Sequence, residues 1–239
     1  MPALSAGTLV HPDSLGDTLD AVNAALFTGQ KITKTARAEA AAWIADRQGL
    51  PGSYAGMFAP TEFDYAFGML TFTGEAVVSA AGTGHVLSEE ACGVLYRLGA
   101  PAAEAREAIK RARKNLFHRM EQAEVDGQWS GVFCCGTCSV ALWRHLLTSA
   151  EPDDQRRLEH GLTELRRYRD DKGRWKRFPF YYTLLALTEI NHPAALEEAR
   201  YAATVIERAL RRLLRADPET WTVHEQRRKI VMERILEKC

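Results

Sequence analysis

The first ten residues, Met1 to Val10, contain no basic residue, and no stretch of the 239-residue chain reaches the roughly 18 consecutive apolar residues of a membrane-spanning helix. Neither a leader nor a membrane span is expected, and a cytoplasmic protein is the default. Net charge is also missing: 31 Lys plus Arg face 31 Asp plus Glu. The chain as a whole therefore has no field with which to gather nucleic acid or anionic lipid, and any electrostatic recognition must come from a local patch. Runs that alternate apolar and polar between turn signals are scarce, which argues against a sheet protein. An even cysteine set is absent too, since Cys92, Cys134, Cys135, Cys138 and Cys239 make five. An odd, uneven set fits thiols in a reducing compartment better than a disulfide framework.

What the chain has in quantity is apolar residues at helical spacing, within a composition that is 46% hydrophobic. The pattern predicts an all-α fold with helices over 17–27, 33–47, 88–98, 101–123, 135–147, 153–168, 180–190, 193–214 and 218–237. Gly82-Thr83-Gly84-His85 reads as a flexible loop ahead of the third of these. The last two helices carry Arg208, Arg211, Arg212, Arg215, Arg227, Arg228 and Arg234 interleaved with glutamates. That mixture predicts a solvated or partner-facing surface over 193–239, packed on or extending from a single domain that spans 1–239.

A short pattern recurs. Trp43 and Ile44 are followed by Gln48 and then Gly52-Ser53-Tyr54; Phe117 and His118 by Gln122 and then Gly127-Gln128-Trp129. A third copy keeps only its end, Gly173-Arg174-Trp175. Eight residues past the three aromatics stand Glu62, Thr137 and Thr183, each at the expected start of a returning helix. Glycine permits the turn, and the aromatic plugs the gap between the outgoing and returning helices. One such hairpin cannot cover its own apolar face, so several must stack or curve around a common centre.

This spacing resembles the QW repeat of squalene and hopene cyclases and the related repeat of protein prenyltransferase β subunits, over roughly residues 37–190. The resemblance implies an α/α toroid of about four to five hairpins, incomplete or closed by a second subunit, with inner helices lining a central cavity. It implies that Gln48, Gln122, Trp129 and Trp175 are braces. The Asp-x-Asp-Asp acid of the cyclases does not occur in this sequence. Protein prenyltransferases hold zinc with an Asp-x-Cys and a later His; here the cysteine is Cys138, the Asp position is Gly136 and the His position is Tyr182.

Cys134 and Cys135 lie beside Cys138, and Cys135-Gly136-Thr137-Cys138 has the two-residue gap by which paired thiolates reach one zinc ion. No second Cys-x-x-Cys or His-x-His follows, and His145 stands about 10 Å along the helix from Cys138, beyond reach of the same ion. His85, His118 or Cys92 would have to be brought in by folding. Three readings stay open for the cluster: buried packing, a metal centre on Cys134, Cys135 and Cys138, or reactive catalytic thiols at Cys135 and Cys138. Lys172, Arg174, Lys176 and Arg177 precede Phe180, Tyr181 and Tyr182. Of these, Arg174, Lys176, Arg177, Tyr181 and Tyr182 suit an apolar substrate with a diphosphate head, charge holding the head and rings covering the chain. Glu62 and Asp64 are candidate acids, bases or capping carboxylates. The sequence thus points to a prenyltransferase-like protein with an isoprenoid-type substrate and a zinc or thiolate centre, or to a noncatalytic helical-repeat module that binds a protein partner or a second copy, with or without structural zinc.

Overall fold

The computed structural model describes residues 9–77, 79–100, 102–123, 131–149 and 151–239. Among them the fold is all-α, with ten α-helices and one ribbon of two short strands. None of these helices is long and apolar enough to cross a membrane. The described residues divide into two compact units, the first comprising 9–69, 77, 79–100 and 102–123 and the second 70–76, 131–149 and 151–239.

The first unit contains α1 (Leu15–Phe27), α2 (Lys34–Ala45), α3 (Glu62–Phe67), α4 (Ala80–Arg97) and α5 (Ala103–Ala123). Its centre is α4, against which α1, α2, α3 and α5 all pack. This helix begins eight residues earlier than the sequence pattern predicts, so His85 is helical and fully buried rather than on a loop. Ser79 caps it by accepting the Gly82 N–H. Gly82 and Gly84, read as loop residues, are close-packing positions: a β-carbon at Gly84 would lie 2.9 Å from the Tyr65 hydroxyl. His85 stacks on Tyr54 at 4.4 Å and pairs with Glu89 at 3.2 Å.

The second unit contains α6 (Gly136–Thr148), α7 (Pro152–Arg167), α8 (Phe180–Glu189), α9 (Pro193–Leu213) and α10 (Val223–Lys238). The sequence pattern merges a short 3-10 turn, Pro218–Thr220, into the last helix; in the structure Thr222 and Glu225 form a capping box that starts α10 afresh. α6 packs on α7 and α8, α7 on α9, and α8 and α9 on α10. Strands β1 (Met69–Leu70) and β2 (Ala76–Val77) flank the hairpin that joins this unit. The Glu75 carboxylate in that hairpin accepts the N–H groups of Tyr181 and Tyr182 at 2.7 and 3.0 Å, capping α8, whose own N-cap is Pro179.

The first and third copies of the repeat each contain an isolated antiparallel bridge, placed differently in the two. Gln48 bridges Phe58, Arg169 bridges Trp175, and each bridge encloses a turn with left-handed glycines, Gly49 and Gly52 in one and Gly173 in the other. The Gln48 amide donates to the Gly56 carbonyl at 2.9 Å, and the Trp175 indole donates to Glu198 at 2.8 Å. In the second copy Gln122 hydrogen-bonds to His118 at 3.1 Å, while Gly127, Gln128 and Trp129 lie outside the described residues.

Candidate metal centre and anion groove

The thiols converge where the chain enters α6. Three close backbone approaches place them. A β-carbon at Gly131 would collide with the backbone at Arg157 and Gly161, one at Gly161 with the Trp143 indole, and one at Gly136 with the Arg177 carbonyl. The Trp143 indole donates to the Gly131 carbonyl at 2.6 Å, and Ser139 Oγ both accepts the Phe133 N–H and donates to the Cys135 carbonyl. Cys134 adopts a left-handed backbone, φ 64°, which turns the segment back toward the helix.

Cys135 is the N-cap of α6, its sulfur accepting the Cys138 N–H at 3.5 Å. The Cys135 and Cys138 sulfurs share a hydrogen bond of 3.3 Å, and the Cys134 sulfur hydrogen-bonds with both. Cys138 is fully buried, whereas Cys134 and Cys135 reach solvent. The hydrogen bond to Cys135, then burial, pushes the Cys138 thiol far above the usual range, and burial raises Cys134. The Cys134 and Cys138 sulfurs lie within 4.8 Å of one another and the Cys135 sulfur is 3.3 Å from that of Cys138, so three thiols gather at one helix N-terminus.

Cys92 is not a further member of this group of three. It is buried in α4 of the first unit, where burial and then Glu89 raise its thiol well above the usual range. Tyr182, at the histidine position implied by the resemblance, is fully buried beneath the Arg144 guanidinium.

Glu62 and Asp64 lie in α3 of the first unit. Glu62 is exposed in the first turn. Asp64 is buried, and its carboxylate accepts Ser14 Oγ, the Leu15 and Gly16 N–H groups, and the N–H and hydroxyl of Thr61. One carboxylate therefore completes the capping box of α3 and binds the start of α1.

The five predicted substrate contacts separate. Arg174 and Tyr181 line a groove of about 710 Å³ in the second unit. Lys176 and Arg177 are exposed outside that lining, and Tyr182 is in the core. Arg208, Arg212 and Arg228, which the sequence pattern assigned to a solvated or partner-facing surface, line the groove with them. The missed signal was the spacing of Arg208 and Arg212, four residues apart and therefore on one helical face.

The groove's edge is the turn from Asp170 to Arg174. Asp170 Oδ1 accepts the N–H groups of Lys172 and Arg174, each at 2.9 Å, and the Tyr201 hydroxyl at 3.2 Å. The Arg174 N–H bond, with those of Lys172 and Tyr201, holds the Asp170 carboxyl below its ordinary value. A depressed carboxyl stabilises the fold above its unfolded pKa, about 3.9. That contribution is lost as pH falls through the lower folded value. Asp170→Asn is therefore expected to lower the thermal midpoint at neutral pH, and the gap from wild type should close in acid. A gap independent of pH would refute this account.

Comparison with family models, curated proteins and solved structures finds no match to the chain.

Proposed function

We propose that the chain is a prenyltransferase-like helical-hairpin protein, its hairpins arranged as an α/α toroid, that binds zinc through Cys134, Cys135 and Cys138 and takes an apolar, isoprenoid-type substrate. The observation that supports this most directly is the convergence of the three sulfurs at the N-terminus of α6. The donor set suits the ion: tetrahedral zinc thiolates at about 2.3 Å place their sulfurs about 3.8 Å apart, so the 3.3 Å pair need only open slightly. Zinc would displace the protons that burial and the Cys135 hydrogen bond hold on these thiols, and the positive end of α6 offsets part of the cost of ionising them. Zinc held there would supply a Lewis-acidic centre that keeps a bound thiolate nucleophilic at neutral pH. Gly131, Gly136 and Gly161 allow the backbone contacts that keep the sulfurs in place.

A noncatalytic module with structural zinc is the alternative, and the number of protein ligands separates the two. Three thiolates leave a fourth position open to water or substrate, whereas a fourth protein ligand closes the site. Zinc is measured on protein purified without added metal, beside Cys135→Ala and Cys138→Ala. The expected result is stoichiometric zinc in the wild type and its loss in both variants, including the exposed Cys135, whose substitution leaves the core intact. A folded wild type that neither contains zinc nor takes it up removes the proposal. Cobalt substitution then shows whether the fourth position exchanges with added thiol, as the catalytic reading requires.

A further inference from the structure

The groove of the second unit has a distinctive composition. Its cations are Lys172 and Arg174 from the turn, Arg208 and Arg212 from α9, and Arg228 from α10. Its carboxylates are Asp170 and Glu225, and both are engaged: Asp170 by the turn's N–H groups, Glu225 by the Thr222 N–H and hydroxyl of the capping box. Five cations against two carboxylates leave a surplus of three, and none of the five forms an ion pair among the described residues. The two carboxylates offset part of the positive charge, Glu225 attracting Arg228, and the cations left in excess repel each other, so the arrangement favours an anion.

Two of the guanidiniums are partly fixed. Arg174 lies over the Phe180 ring at 4.2 Å. Arg228 lies over Tyr181 at 4.6 Å while its Nε donates to the Thr73 carbonyl at 2.6 Å. Stacked, tethered guanidiniums lose less freedom when they bind an oxyanion than extended side chains would. The floor is apolar: Val205, Ala209 and Leu213 follow each other along one face of α9, opposite Met232 of α10. A volume of about 710 Å³ lies within the range of small-molecule sites.

We propose that this groove binds a small ligand with a multiply charged phosphate head and an apolar portion, the head held by Arg174, Arg208, Arg212 and Arg228 and the apolar portion resting on Val205, Leu213 and Met232. A surplus of three charges matches a phosphomonoester or diphosphate better than a single carboxylate. The inference deepens the substrate half of the function proposed above. It stands apart from the zinc half, because no thiol lines the groove.

Calorimetric titration with inorganic pyrophosphate and with octyl diphosphate tests it, alongside flotation on phosphatidylcholine vesicles with and without phosphatidic acid. The expected result is saturable binding of octyl diphosphate, tighter than pyrophosphate, and weakened at least about tenfold by Arg208→Ala/Arg212→Ala. Arg166→Ala/Arg167→Ala, which removes the same charge from another exposed surface, should bind as wild type. Flotation that requires phosphatidic acid and is competed by octyl diphosphate would assign the head to a lipid; octyl diphosphate binding without flotation would assign it to a free solute. Absence of saturable phosphate binding in both assays, or equal weakening by the two double variants, overturns the proposal. Zinc content measured on the same samples separates failure of the groove from failure of the thiol centre.

Discussion

Glu198→Ala is expected to destabilise the second unit by about 3 kcal/mol, the lower end of the range for breaking a buried ion pair. Glu198 is 1% exposed, and its two oxygens receive Arg169 Nε and Nη2 at 3.1 and 2.8 Å and the Trp175 indole at 2.8 Å. Truncation leaves a buried indole N–H and a guanidinium without its counter-charge. Arg169 is about a quarter exposed and can partly rehydrate, which places the estimate at that lower end. Glu198→Gln keeps an acceptor for Trp175 and should cost roughly 1–2 kcal/mol. Guanidinium unfolding followed by tryptophan fluorescence measures both, since Trp143 and Trp175 are buried in this unit. If both variants lie within about 0.5 kcal/mol of wild type, Trp175 is not the brace described.

Gly136→Asp should destabilise by a comparable amount, about 3 kcal/mol, the upper end for overpacking because the obstacle is backbone. A β-carbon there would meet the Arg177 carbonyl and would lie 2.9 Å from the Phe178 α-carbon. The residue occupies the first position of α6, between Cys135 and Cys138, so displacing it also spreads the sulfurs. Aspartate at this position matches the ligand pattern of the prenyltransferases, yet zinc affinity is expected to fall with stability. Gly136→Ala carries the same β-carbon without a ligand and should lose nearly as much. Unchanged stability with tighter zinc binding in Gly136→Asp would show that residues 177–178 yield and that the steric account is wrong.

Local chemistry was legible in the sequence. Apolar residues at helical spacing announced an all-α chain, and Thr33, where the second helix was expected to begin, is its cap; the caps Ser14 and Thr222 were not read, although each bonds to a neighbour only three residues away. The glycine turns at Gly52 and Gly173 were visible because a left-handed backbone favours one residue type. The start of α4 was not. Gly82 and Gly84 read as breakers, and only contacts with Val77, Tyr54 and Tyr65 make small residues there favourable within a helix. Spacing placed Cys135 near the end of α6, and Cys138 one turn in.

What the tertiary structure alone decided is which distant groups meet. Glu75 caps α8 across more than a hundred residues, a pairing no local pattern encodes. Asp64 was legible as a carboxylate near a helix start, but its hold on α1 depends on packing across about fifty residues. Arginines on α9 and α10 look alike in sequence; their helical phase against the Asp170–Arg174 turn sets Arg208, Arg212 and Arg228 around the groove and leaves Arg211 and Arg215 out of its lining. The sequence by itself determined most of the helices, the glycine turns and the grouping of three thiols, because those follow from backbone conformation and short spacing. The sharing of carboxylates between elements and the charge surplus of the groove were decided only by packing, because they depend on which faces of separate helices become neighbours.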